Sequence, residues 1–164
     1  MVRQRTADVT RHEAGFSLVE LIVVVAMIGV LAVLAGPQFM SYWRTAATSA
    51  AATELATVVN RARQLAISGN QLVCAQINGT SLQYRSNTNA GCTVGTIWTG
   101  TGTDGNGLIR LSNNMQASGG QGLCTCVVFT QLGAAVTAGT FTVTNPNGGT
   151  RNVVVAASGR VTVQ

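Results

Sequence analysis

Gly15-Phe16-Ser17-Leu18-Val19-Glu20 runs directly into an apolar stretch, residues 21–36, and the reading of this segment decides the fold. From Phe16 to Gly36 there are 21 residues, of which only Ser17 and Glu20 are polar. As a helix, that length rises roughly 30 Å, about the hydrocarbon thickness of a bilayer. Leu, Ile, Val, Ala and Met dominate it, and Gly29 is its only glycine before Gly36. This composition suits a helix in lipid, where the backbone must satisfy its own hydrogen bonds. An unbroken apolar run so near the N-terminus reads as a membrane span in preference to a buried core helix.

Glu20 is the informative residue within the run. A carboxylate inside a span costs on the order of 2–4 kcal/mol at the bilayer centre, so an intramembrane acid asks for a partner. If the chain were cut after Gly15, Phe16 would become a free amino terminus, and its ammonium could be that partner. The alternative leaves Glu20 at the interface, snorkelled and inert.

These residues carry a resemblance. Gly15-Phe16-Ser17-Leu18-Val19-Glu20 followed by a hydrophobic run resembles the class III signal of type IV pilins and type II secretion pseudopilins. The resemblance implies that a prepilin peptidase cuts after Gly15 on the cytoplasmic side and methylates the new N-terminal Phe16. It also implies that Glu20 serves assembly, near its own or a neighbouring Phe16 ammonium, and that the apolar helix is the contact with other pilins. An ordinary secretory signal is cut after its apolar region and loses it, whereas here the cleavage site precedes a segment that is retained.

Residues 1–15 contain Arg3, Arg5, Arg11, Asp8, His12 and Glu13 and no apolar run. Their arginines hold this leader in the cytoplasm by the positive-inside rule and send the remainder across the membrane, which the resemblance implies is the bacterial inner membrane, with the remainder in the periplasm. All ten basic residues of the chain are arginine, and the only histidine lies in the leader. After cleavage, seven arginines face Glu20, Glu54 and Asp104, a mild formal excess of about four positive charges.

Beyond the span the helical pattern resumes past Pro37, so the proline is expected to kink the helix and not end it. Ala51, Leu55, Val58, Val59, Ala62, Leu65 and Ala66 recur at 3–4 spacing on one face, with Glu54, Thr57, Asn60, Arg61, Gln64 and Ser68 on the other. Gly69-Asn70 supplies the stop. The chain then divides into a cleaved leader (1–15), a transmembrane helix (16–38), its periplasmic continuation (39–69) and a β-rich globular domain (70–164). Within the last, strands are expected at 71–77, 81–85, 97–98, 107–111, 124–130, 140–144, 151–156 and 160–163. Asn78-Gly79 and Asn147-Gly148-Gly149 are the hairpin signals, and 87–107 is a glycine-rich surface excursion. The fold class is α+β, a long N-terminal helix packed on an antiparallel sheet.

A second resemblance lies late in the chain. Val128-Phe129-Thr130-Gln131-Leu132-Gly133, a hairpin, and then Ser158-Gly159-Arg160-Val161 are similar to the GspH/FimT group of minor pseudopilins and minor pilins. Some pilus members close with glycine, arginine, any residue and a second arginine, on a tail implicated in DNA binding. Arg160 matches the first arginine, and Thr162 stands where the second would be.

Four cysteines remain: Cys74, Cys92, Cys124 and Cys126. Across the membrane they are expected as disulfides, and four cysteines allow three full pairings. If Cys124-Thr125-Cys126 is extended, its two Cβ atoms lie on one face some 6–7 Å apart, beyond easy bridging, so each is expected to pair with Cys74 or Cys92. One bridge with two free thiols is a further possibility. A zinc site is the alternative use of the four sulfurs, though the mature chain offers no histidine to join them.

The absence of histidine and lysine after residue 15 removes the Ser-His-Asp triad, the Cys-His pair, the Schiff base and the phosphate-loop lysine. Glu54 and Asp104 show no acid/base pairing, and the glycine-rich loop 100–107 lacks the ligands of a calcium site. The expectation is a non-enzyme with no cofactor and no metal. Two roles stay open: a structural minor subunit of a secretion pseudopilus or type IV pilus, or a subunit that also holds DNA phosphates with Arg110, Arg151 and Arg160 during DNA uptake. A plain single-pass anchored domain is a third, more distant reading.

Overall fold

The computed structural model describes residues 15–120 and 124–164. It falls into two units, one reaching Met40 and the other Ser41–Gln164. One helix, α1 (Leu18–Gly69), continues through Pro37 without ending, as the pattern on either side of the proline predicts. It closes where predicted, with Asn70 at φ 47° and its N–H donating to the Ile67 carbonyl.

In the second unit α1 buries Ala51, Ala52, Leu55, Val59, Ala62 and Ala66, while Thr57, Gln64 and Ser68 stay exposed. Alanine makes up much of this face, and Leu55 and Val59 supply the volume. The 3–4 spacing therefore identified the buried face.

Among the described residues nine strands follow. In the first sheet β1 (Val73–Asn78) and β2 (Ser81–Ser86) form a hairpin that pairs from Val73↔Ser86 to Asn78↔Ser81. Gly79 at φ 62° makes its tight turn, where Asn78-Gly79 signalled one. Two short strands share the outer edge of β2: β3 (Thr96–Ile97) pairs with one end and β4 (Leu108–Arg110) with the other. On the inner side β1 pairs with β6 (Cys126–Phe129). The second sheet has the order β5 (Gln116–Gly120), β7 (Gly139–Thr144), β8 (Thr150–Val155), β9 (Val161–Val163), and all its pairings are antiparallel.

The expected antiparallel arrangement holds, divided between two sheets. The strand that sequence reading missed is β5. Its sequence, Gln-Ala-Ser-Gly-Gly, has almost no intrinsic β preference. Backbone pairing to β7 and burial of Ala117 hold it in place, and the Ala117 N–H donates to the Gly79 carbonyl at 2.9 Å, tying this sheet to the first hairpin.

One hydrophobic cluster joins the buried face of α1 to Val73, Ala75, Ile77, Leu82, Tyr84, Val127 and Phe129 of the first sheet and to Phe141, Val143, Val153 and Val155 of the second. Strand β6 is buried along its whole length because both its faces are covered. Val127 and Phe129 enter the main core. Cys126 and Val128 face the other way, into a small cluster with Cys74 and Cys92.

Candidate functional site

The apolar N-terminal segment dominates the first unit. Gly15, Phe16 and Ser17 precede the helix, and the Leu21 N–H donates to the Ser17 carbonyl at 3.1 Å to begin it. Glu20 lies in the first turn, where a carboxylate complements the helix dipole. Leu18–Gly36 has a mean hydropathy of 2.9, and none of it is buried in the fold. Phe16 is 82% exposed. So much contiguous uncovered apolar surface exceeds what a soluble monomer sustains, and a lipid phase or the same segment of other subunits would cover it. Phe16 and Glu20 both stand at the start of this surface. Residues 1–14 of the expected leader lie outside the described residues.

The three arginines considered for phosphate contact are all exposed. Arg110 ends β4 in the first sheet, paired with Ser81. Arg151 and Arg160 belong to the second sheet, at opposite ends of β8. Arg151 sits beside the β7–β8 turn, and Arg160 follows the β8–β9 turn, its carbonyl accepting from Ala156 N–H at 2.9 Å. The four strand steps from Arg151 to Val155 already amount to about 13 Å. Each therefore lies beside a turn, and the length of β8 separates the two.

The cysteine pairing differs from the expectation. Cys74 is bonded to Cys92, and Cys124 to Cys126. The expected pairing assumed that Cys124-Thr125-Cys126 is extended. In fact β6 begins only at Cys126, and the chain bends at Thr125, bringing the two Cα atoms to 5.2 Å. Cys92 reaches Cys74 because the segment after β2 folds back over β1. There the Thr88 hydroxyl donates to the Val94 carbonyl at 2.7 Å, the Cys92 N–H donates to the Asn89 carbonyl, and Cys92 takes φ 58°. The Sγ atoms of Cys74, Cys92 and Cys126 all lie within 4.8 Å of one another. Zinc requires thiolates, and sulfurs committed to disulfides do not supply them.

The remaining acids serve the fold. Glu54 Oε2 accepts from Ser112 N–H at 3.1 Å. Asp104 Oδ1 accepts from the N–H groups of Asn106 and Leu108, at 2.9 and 2.8 Å, and so organises the turn of the glycine-rich loop. Several anchoring contacts carry no sequence signal. Arg61 lies 5.2 Å from the centre of the Trp98 ring, a cation–π contact. Arg63 Nε donates to the Gly133 carbonyl at 2.8 Å. The Asn145 amide donates to Thr48 Oγ1 at 3.3 Å and to the Arg44 carbonyl at 3.4 Å.

Comparison with known proteins places this architecture. Residues 10–36 match the prokaryotic N-terminal methylation motif, and residues 51–159 match the type II transport protein GspH family. A fimbrial protein of Pseudomonas aeruginosa is 33% identical over 63 residues, which is 38% of this chain and 41% of that protein. The match thus spans well under half of the curated relative. Among solved structures, the type IV minor pilin FimU of Pseudomonas aeruginosa superposes with a TM-score of 0.52 at 22% identity, covering 71% of this chain and 87% of FimU. The minor pseudopilin EpsH of the Vibrio cholerae type II secretion system gives 0.54 at 12% identity, covering 73% and 94%. GspH of E. coli gives 0.52 at 12% identity, covering 73% and 90%. At these identities the structural likenesses establish the fold.

Proposed function

Because the chain belongs to the GspH family of type II transport proteins, we propose that it is a minor pilin or pseudopilin, a structural subunit without catalytic activity. It is inserted into the assembly of a type II secretion pseudopilus or a type IV pilus through its apolar helix. The observation that carries this reading is the wholly uncovered apolar segment Leu18–Gly36, continuous in one helix with the face that closes the globular core. A prepilin peptidase cleaves after Gly15 and methylates Phe16, consistent with the methylation motif over residues 10–36. Residues 16–38 then hold the protein in the bacterial inner membrane, with the domain from residue 70 in the periplasm. On assembly the same helix leaves lipid for a bundle of other pilin helices.

Glu20 acts in that transfer. A carboxylate that has lost its water is best satisfied by the ammonium of Phe16 on its own or a neighbouring chain, and such a pair sets register more reliably than it adds stability. The direct test is photocrosslinking in the native host from an unnatural residue at Leu31. Adducts with other subunits carrying the same kind of N-terminal helix are expected. Adducts confined to lipid while the filament assembles would overturn the reading.

A further inference from the structure

The two disulfides differ in what they do for the fold. Cys74–Cys92 spans a sequence separation of 18, whereas Cys124–Cys126 spans only 2 and restricts the unfolded chain very little. The second bridge therefore adds less to stability than the first, and its position offers another role. Cys74 and Cys126 are fully buried and Cys92 nearly so. The pairings Gln76↔Cys126 and Cys74↔Val128 set Cys74 and Cys126 diagonally on one face of the sheet, and Cys92 covers them from the loop. Cys124 alone is partly exposed, and it lines an open cleft together with Thr125, Gly119 and Gly120.

We propose that Cys124–Cys126 is a thiol-exchange site, through which an external dithiol acts on the buried Cys74–Cys92 bridge with Cys126 carrying the exchange inward. A thiolate of the dithiol attacks Cys124 Sγ, the Cys124–Cys126 bond breaks, and Cys126 leaves as a thiolate. With its Sγ within 4.8 Å of both partner sulfurs, Cys126 attacks one sulfur of the Cys74–Cys92 bond. It bonds to that sulfur and expels the other cysteine as a thiolate, which takes a proton from water. The second thiol of the dithiol then resolves the mixed disulfide on Cys124, leaving the dithiol oxidised and Cys124 free. Two electrons enter the protein, one bridge remains, and it now joins Cys126 to Cys74 or Cys92. Either new bridge, spanning 52 residues to Cys74 or 34 to Cys92, closes a longer loop than the separation of 18 in the Cys74–Cys92 bridge it replaces and constrains the chain more strongly.

Tryptic cleavage at Arg63, Arg85, Arg110 and Arg151 puts Cys74, Cys92 and the Cys124/Cys126 pair on three separate peptides, which makes the rearrangement readable by mass. The full-length protein in detergent is treated with one equivalent of dithiothreitol, alkylated and digested without further reduction. Before treatment, peptide 111–151 should be unlinked. Afterwards it should be joined to the Cys74 or the Cys92 peptide, with the alkyl group on Cys124. A link already present before treatment would overturn the proposal, as would labels on both Cys124 and Cys126 with Cys74–Cys92 intact, or labels on Cys74 and Cys92. Without any reductant, Cys124→Ser leaves the Cys126 thiol beside the buried bridge and should give about tenfold more linked peptide than Cys126→Ser, whose partly exposed Cys124 lacks the inward carrier. Equal linkage in the two variants would likewise overturn it.

Discussion

The Tyr84 hydroxyl donates a 2.8 Å hydrogen bond to the Val58 carbonyl oxygen, so a β2 side chain is pinned to the backbone of α1. The ring is fully buried and meets Trp98 edge to face at 5.8 Å, and Arg61 of α1 in turn stacks on Trp98. Tyr84→Phe keeps the ring and removes only the hydrogen bond. Its expected cost is about 1 kcal/mol, against roughly 3–5 kcal/mol for Tyr84→Ala, which also opens a cavity. Urea unfolding of the detergent-solubilised protein measures both, and equal losses would show that the hydroxyl, not the ring, dominates.

The same residue gives the fold an alkaline limit. Burial pushes the Tyr84 hydroxyl above its ordinary value of 10.0, with the positive charge of Arg61 opposing the shift. The folded protein therefore keeps the proton where the unfolded chain has begun to lose it. The contribution is complete below about pH 10 and falls as pH rises above it. Tyr84→Phe should flatten the decline in stability above pH 10, and an unchanged slope in that variant would place the alkaline sensitivity elsewhere.

What the sequence made legible follows from the range of each signal. The apolar run, the buried face of α1 and the Asn78-Gly79 turn are local patterns, and the structure places them where the patterns do. The missed strand, β5, owes its conformation to β7, whose residues lie 20 to 28 positions further along the chain from their partners. The cysteine pairing failed on one local assumption, that residues 124–126 are extended, and a bend at Thr125 reverses the outcome. Arg151 and Arg160 look adjacent in sequence but lie at opposite ends of β8, because a hairpin strand carries its two ends apart. At the candidate site, the expectations for Gly15, Phe16 and Glu20 rest on their order along the chain, within the segment 10–36 that matches the methylation motif, and need no tertiary contact.

Processing is predicted from that order. The mature protein extracted from membranes should begin at Phe16 and carry one added methyl group, and Gly15→Val should retain the leader. Intact-mass measurement decides the matter. A mature chain beginning after Ala35 or Gly36 would instead indicate an ordinary secretory signal, and the pilin-type anchor would have to be abandoned.

Assembly is predicted from Glu20. Glu20→Val removes the acid from an otherwise apolar segment, so membrane insertion should be unimpaired or slightly favoured, since the carboxylate costs a few kcal/mol in lipid. Cleavage at Gly15 should persist. Incorporation into filaments, followed by crosslinking to partner subunits, should fall several-fold once the pairing with a Phe16 ammonium is lost. Wild-type incorporation would mean that Glu20 has no part in registry.

The last prediction concerns two glycines that the late resemblance brought into view. Gly133 and Gly159 lie 26 residues apart in sequence and pack directly against each other, so that a Cβ on Gly159 would collide with the Gly133 carbonyl. That carbonyl already accepts from Arg63 Nε at 2.8 Å, and the Ala135 N–H donates to the Ala157 carbonyl at 3.1 Å beside it, so the turn cannot easily retreat. Gly159 also has φ 80°, which alanine adopts at a cost. Gly159→Ala thus combines backbone strain with a steric conflict and should lose on the order of 2–3 kcal/mol. Gly148 separates the two effects, because its φ of 96° is equally unfavourable for alanine while open space surrounds it. Gly148→Ala should cost only about 1 kcal/mol. Unfolding midpoints of the two variants, compared with wild type, measure the difference. If they fall together, the conformation of Gly159 accounts for its presence and the contact with Gly133 contributes nothing. If Gly159→Ala is clearly the worse, this meeting of two turns, held by Arg63, is what the glycine-arginine close preserves.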